Sequence, residues 1–509
     1  MSNRAFRALH AGMAGLALLA FSVGAQAQAA SPRTPAEWRQ AAIQDIEEGV
    51  RITRDNHPGM FDPGNPAFAA NLDKARQEGL ALAQKVDGPG AYSAALLRFN
   101  AAIGDGHAGM VPTLPAGVEA PARWPGFVVV WRETGMFVAA SEPDGPKPGS
   151  QVLGCDGKPV KRLLEDNVFA FDGRIGEPGR WWSRSRNLFF DFGNPFIQLP
   201  AHCEFALDGK TYAQDIAWKP WDEQTGRWRE ATYNGRTLDA GMSEPRKGLY
   251  WIAMPSFHPD EKQRETYRAI NRDIAADRGR FLAADAVVID LRQNQGGSSF
   301  WSRDLAAALW GEGRVKRRMD ARSARTEVWW RASPGNVEHV RKLVDELTRE
   351  RQADAVEWVR HISAGMQAAL ARGDKFYVEK KDASAGGAGD PRADLPTDPP
   401  PFTRPVYVVV PGQCASACLD ALDVFTQFSN TVLVGAPSAA DSTYMEVRYQ
   451  KVASGLATVI VPNKVYVNRA RANGEVYLPA ISVNDLDWSV DTFLRVVERD
   501  LARKAMATQ

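Results

Sequence analysis

The chain has 509 residues, and its 62 Lys plus Arg nearly cancel 61 Asp plus Glu. A net charge so close to zero offers no long-range field to attract nucleic acid or anionic lipid, which excludes those classes of partner as the main reading. The length suits about two to four domains with sizeable cores.

Residues 1–30 carry Arg4 and Arg7, then an apolar run from Ala14 to Phe21, then the small-residue stretch Ala25 to Ala30. This is the layout of a secretory signal peptide, with cleavage expected near Ala27 to Ala30. The apolar run is too short to span a bilayer, and no later stretch is apolar enough to do so. The mature protein is therefore expected to be periplasmic or secreted, without a membrane anchor. Its four cysteines should pair in that compartment. Of the possible pairings we favour Cys155 with Cys203 and Cys414 with Cys418, the second pair lying one helical turn apart.

Residues 31–111 form a helical N-terminal region. Trp38, Ile43, Ile46 and Val50 recur on one face of a helical pattern running from Thr34 to Lys85, and a second helix is expected over Ala91 to Ile103. The segment Gly104-Asp105-Gly106-His107 then breaks the period. Residues 112–245 read as a β-rich middle domain, with short apolar runs such as Phe127 to Trp131 and Gly135 to Ala139. Within it, Gly149 to Val160 is weakly PDZ-like, a strand, turn and strand with no carboxylate-binding loop before it.

Residues 246–315 and 404–509 form an α/β core. The runs Ala286-Val287-Val288-Ile289-Asp290 and Val406-Tyr407-Val408-Val409-Val410 are continuously apolar and β-branched. Strands buried on both faces of a parallel sheet have that composition. Each run is followed by a Gly-containing turn and a helical pattern, so both turns fall at carboxyl ends of strands, where open α/β sheets place their sites. Residues 316–403 interrupt this core with a helical portion and a Gly, Ala and Pro-biased end, either a lid over the site or decoration.

The segment Pro411-Gly412-Gln413-Cys414-Ala415-Ser416-Ala417-Cys418 is the most informative. A Ser between a buried strand and a helix N-terminus sits where the helix dipole and free backbone N–H groups stabilise developing negative charge. The same position also suits an ordinary helix cap.

Four segments occur together in order: Gly104-Asp105-Gly106-His107, Asp290-Leu291-Arg292-x-Asn294-x-Gly296-Gly297, Ser416, and Asn473-Gly474-Glu475. Together they resemble the tail-specific (C-terminal processing) and tricorn-core serine peptidase family, over about residues 35 to 315 and 404 to 495. The resemblance implies a mixed α/β fold with a crotonase-like, Clp-protease-like core, and Ser416 as an acyl-forming nucleophile. It also implies an oxyanion hole from the N–H of Ala417 with that of Gly296 or Gly297. One branch of the family uses a Lys base, but the matching stretch here, Gly435 to Asp441, holds Asp441. The His-type branch is the better match, and His107 becomes the base. A histidine's ordinary pKa suits proton transfer from a Ser to a leaving amine.

Glu475 is the third catalytic group by similarity, with Asp105 or Glu446 as alternatives. Gly106 departs from the branch's pattern, which has a Ser directly before its His. No metal or nucleotide motif is present, and no cofactor is expected. The reading is an exported serine peptidase with polypeptide substrates. Alternatives are a peptide- or ligand-binding protein on the same scaffold, or an esterase or cell-wall peptide hydrolase.

Overall fold

In the computed structural model, residue 32 and residues 34–507 are described, except 236–237, 350–352, 380–389, 391 and 397. The leader segment and the Gly-Ala stretch at 383–389 lie outside the described residues. Among those described, no helix is long and apolar enough to cross a membrane.

The first helix, Pro35–Asn56, starts on a capping box. Thr34 Oγ1 accepts the Glu37 N–H, and the Glu37 carboxylate accepts the Thr34 N–H. The helical pattern from Thr34 to Lys85 is in fact two helices, the second being Phe68–Ala83. Pro58 divides them: its ring disfavours helical backbone at the residue before it, and His57 is extended at φ −72°, ψ 132°. A third helix, Pro89–Ile103, ends on Gly104 in the left-handed region.

These helices pack on a five-stranded antiparallel sheet. Trp38, Ile46, Phe68 and Phe99 share a core there with Tyr444, Val459 and Val461. The sheet's long central strand, Ala457–Val467, pairs with Gly109–Pro112, Tyr444–Lys451 and Glu327–Arg331, and Phe376–Glu379 completes it. Two of these strands come from the 316–403 stretch. Helices Pro334–Arg349 and Ala353–Arg372 connect them. Short runs such as Trp329-Trp330 gave too few alternations to mark them as strands.

The middle domain is a six-stranded sheet spanning Phe127 to Asp215. Its strand Gln151–Cys155, left-handed turn at Asp156-Gly157 and strand Lys158–Pro159 correspond to the strand, turn and strand read at 149–160.

The third sheet positions the site. Its order is Gly241–Arg246, Leu249–Ala253, Ala286–Asp290, Val406–Val410, Thr431–Gly435 and Ile481–Ser482, all parallel after the first pair. Alternate side chains of the two central strands enter separate cores. Val287, Ile289, Val406 and Val408 lie on one face, while Val288, Tyr407 and Val409 face the middle domain and the C-terminal helix. That two-sided burial is why their sequence is uninterruptedly apolar.

Both disulfides pair as expected, Cys155 with Cys203 and Cys414 with Cys418. The first closes a loop of 48 residues and the second of only 4. If chain entropy governs their effect, replacing the first pair by Ala should cost about 4 kcal/mol and the second about 2 kcal/mol. Denaturant midpoints of the two Cys→Ala pairs test that ranking, and equal losses would contradict it.

Candidate active site

Four adjacent parallel strands deliver their carboxyl ends to one place. Ala253 leads to Phe257, Asp290 to Gly296-Gly297, Val410 to Ser416, and Gly435 to Asp441.

The Asp-Leu-Arg-x-Asn-x-Gly-Gly segment explains itself physically. Arg292 and Asp290 form a fully buried pair, Nη2 to Oδ2 at 2.7 Å, and Arg292 also donates to the Trp488 carbonyl. Asn294 Nδ2 donates to the Met254 carbonyl at 2.9 Å, while its Oδ1 accepts the Gly296 N–H at 2.9 Å. The turn is thereby fixed before the two glycines. An ideal Cβ on Gly296 would lie 2.8 Å from Ser416 Cβ, and one on Gly297 would lie 2.2 Å from the Phe257 carbonyl carbon. Only glycine admits such close approach.

Ser416 precedes helix Ala417–Phe425 with φ 55° and ψ −128°, a conformation that non-glycine residues rarely hold. Its N–H donates to Asp441 Oδ2 at 2.8 Å. Gln413 ties this loop to the previous one through the Arg292 carbonyl, at 2.9 Å. The disulfide brackets the serine at positions two before and two after it. Such a held, uncommon backbone is characteristic of functional turns.

Asp441 also faces His107. Its Oδ1 lies 3.8 Å from His107 Nδ1, and its side chain is only 3% exposed. That separation is too long for a hydrogen bond, and His107 Nδ1 is buried without one. A single carboxylate thus touches the serine backbone with one oxygen and faces the histidine with the other.

The His107 backbone is anchored separately, its N–H donating to Asp105 Oδ1 at 2.9 Å. The Arg174 guanidinium occupies the space beside Gly106, 2.8 Å from where a Cβ would stand. Arg174 continues to the Ala440 carbonyl at 3.2 Å, next to Asp441.

The remaining candidates are elsewhere. Glu475 is exposed and accepts the Ala472 N–H at 2.8 Å, closing its own turn. Glu446 lies in the five-stranded sheet, bonded to buried Lys464 at 3.1 Å. Gly296 N–H is already taken by Asn294. Among the described residues, no intramolecular partner is found for Gly297 N–H or for Ala417 N–H, the latter at the first position of its helix. Asp441, which the sequence offers only as the residue standing where a Lys base would be, is the carboxylate that the fold brings to both Ser416 and His107.

The fold thus brings together a serine at a strand-to-helix elbow, a glycine pair against it, and a carboxylate that lies between it and a histidine. Residues 249–472 match the sequence profile of Peptidase family S41, so the chain carries an S41 peptidase domain and is a serine-type peptidase. Over nearly its whole length the fold is similar to mature CPAF. The complex of CPAF with lactacystin aligns with TM-score 0.60 and 13% identity, covering 91% of this chain and 98% of that one. Mature CPAF alone aligns with TM-score 0.58 and 13% identity, covering 91% and 96%. No curated protein sequence matches the chain.

Proposed function

We propose that the protein is an exported serine peptidase that cleaves polypeptide through an acyl-enzyme on Ser416, with His107 as general base and Asp441 orienting it. The observation that carries this reading is the shared carboxylate, with Asp441 Oδ2 on the Ser416 N–H and Oδ1 facing His107 Nδ1. With Nδ1 turned to the carboxylate, Nε2 is the nitrogen that takes the Ser416 hydroxyl proton. The serine oxygen attacks the scissile carbonyl, and the carbonyl oxygen becomes an oxyanion between the N–H groups of Gly297 and Ala417. Collapse breaks the C–N bond, His107 returns the proton to the leaving amine, and water then hydrolyses the ester by the same route. Asp441 replaces Glu475 in this reading because the exposed Glu475 carboxylate is committed to its own turn.

Catalysis needs the 3.8 Å gap at Asp441 to close, as hydrogen bonds at unliganded sites often do when substrate arrives. A site that stays open favours the binding-protein reading. A fluorophosphonate probe on the purified mature protein separates the two. Labelling on Ser416 that is lost in Ser416→Ala and His107→Ala is expected. A folded protein that takes no label would sink the peptidase proposal, and labelling with turnover of esters but not peptides would shift the substrate class.

A further inference from the structure

His57 is a buried histidine that the fold ties to the His107 segment through Asp105, and nothing above uses it. It lies at the C-terminal cap of the first helix, completely buried, stacked on Phe68 at 4.0 Å between ring centroids and edge-on to Tyr444 at 4.7 Å. Its Nδ1 accepts the Gly59 N–H at 2.9 Å, so that nitrogen carries no proton. The proton must be on Nε2, which points at Asp105 Oδ2 at 2.9 Å and donates to it. The other oxygen of Asp105 accepts the His107 N–H.

Burial keeps the imidazole neutral, pushing its pKa below the ordinary value against the pull of Asp105. Asp105 stays ionised. Burial alone would raise its carboxyl, but the hydrogen bond from His57 and the nearby imidazoles outweigh that. The Asp105 carboxylate thus joins the end of the first helix to the segment that carries His107. A buried, ionised hub with both oxygens engaged is rigid only while each donor stays in place.

We propose that His57 is a positioning residue for the acyl-transfer site, fixing through Asp105 the loop that presents His107 to Asp441. This rests on the assignment of His107 as base. The neighbouring groups already saturate the ring, which leaves His57 no free nitrogen to act on substrate.

The test compares His57→Leu, His57→Gln, Asp105→Asn and the double variant His57→Leu/Asp105→Asn with Tyr92→Phe. Tyr92 is equally buried in the same helical core, where it donates to Asp45 at 2.6 Å away from this relay. Expected are a fall in kcat of about 10- to 100-fold for His57→Leu with KM changed little, and a matching fall in the rate of fluorophosphonate labelling. Asp105→Asn should add little in the double variant, and His57→Gln, whose amide N–H can reach Asp105, should recover part of the rate. Tyr92→Phe should lose stability without losing kcat.

If His57→Leu keeps the kcat of Tyr92→Phe at comparable stability, or if the two losses simply add, the proposal is overturned. If His57→Leu does not fold, His57→Gln and Asp105→Asn carry the same test. A His107→Ala variant that still labels on Ser416 would instead overturn the base assignment.

Discussion

Asp441→Asn is expected to lower kcat by about 10³- to 10⁴-fold while leaving the protein folded, a loss of about 4 to 5.5 kcal/mol of transition-state stabilisation. The two side chains have the same shape, so the buried pocket needs no repacking. Asn can still accept the Ser416 N–H through its oxygen and thus keep the elbow at 2.8 Å. Its other atom is then an NH₂ facing His107 Nδ1, where the native protein has a carboxylate oxygen. An amide N–H donates to the Nδ1 lone pair and holds the ring's proton on Nε2. Nε2 must be free to accept the serine proton, so the substitution fixes the unproductive tautomer. A role confined to capping the Ser416 turn predicts otherwise: Asn would cap as well, and kcat would stay within about tenfold. Glu475→Gln is the companion measurement. With its carboxylate exposed and bonded only to a neighbouring N–H, it should change kcat by less than about twofold. If the two results exchange places, Glu475 is the orienting acid and Asp441 a cap.

That contrast shows where sequence patterns stop being informative. The buried strands at 286–290 and 406–410 were legible because burial on both faces leaves a mark in every residue. Ser416, Gly296 and Gly297 were legible because a nucleophile elbow and a close backbone approach restrict residue type. The two disulfides followed from cysteine count and spacing. By contrast, the proposed orienting acid is a matter of loops converging from separate parts of the chain. Asp441 belongs to the loop after Thr431–Gly435, His107 to a segment more than three hundred positions earlier, and no periodicity connects them.

Tertiary context likewise hid His57, whose Asn-His-Pro setting reads as a helix end and nothing more. Its role depends on Gly59 and Asp105 approaching opposite ring nitrogens. The helix break at Pro58 was available to sequence reasoning, since a residue before proline avoids helical backbone. An apolar periodicity on both sides of it masked that signal. Gly106 shows the reverse case: in the fold the space beside it is taken by the Arg174 guanidinium, 68 positions away in the chain.

Gly297→Ala should reduce kcat by about 10²- to 10³-fold, the loss associated with one oxyanion donor. Gly297 holds φ 130°, outside the range an alanine tolerates, and forms a parallel bridge with Phe257. The added Cβ would stand 2.2 Å from both the carbon and the oxygen of the Phe257 carbonyl, and 2.4 Å from His258 N. These are backbone atoms and cannot rotate aside. Relief requires parting the two segments, which breaks the 2.7 Å bond from Ser298 N–H to Phe257 O and the 3.2 Å bond from Phe257 N–H to Gly296 O. The Gly297 N–H then leaves its aim on the oxyanion, while Ser416 and His107 keep their own supports. Fluorophosphonate labelling, which also builds negative charge on an oxygen in that hole, should slow in parallel with kcat. Gly157→Ala is the control for backbone strain alone: φ there is 75°, nothing lies within 4 Å of the new Cβ, and the residue sits in the middle domain. It should cost about 1 kcal/mol in stability and leave kcat unchanged. If Gly297→Ala behaves like Gly157→Ala, losing stability but not rate, then the oxyanion donors are other groups. The Asn294 bond on Gly296 N–H would then have to open during the reaction, because that is the nearest remaining N–H on the loop.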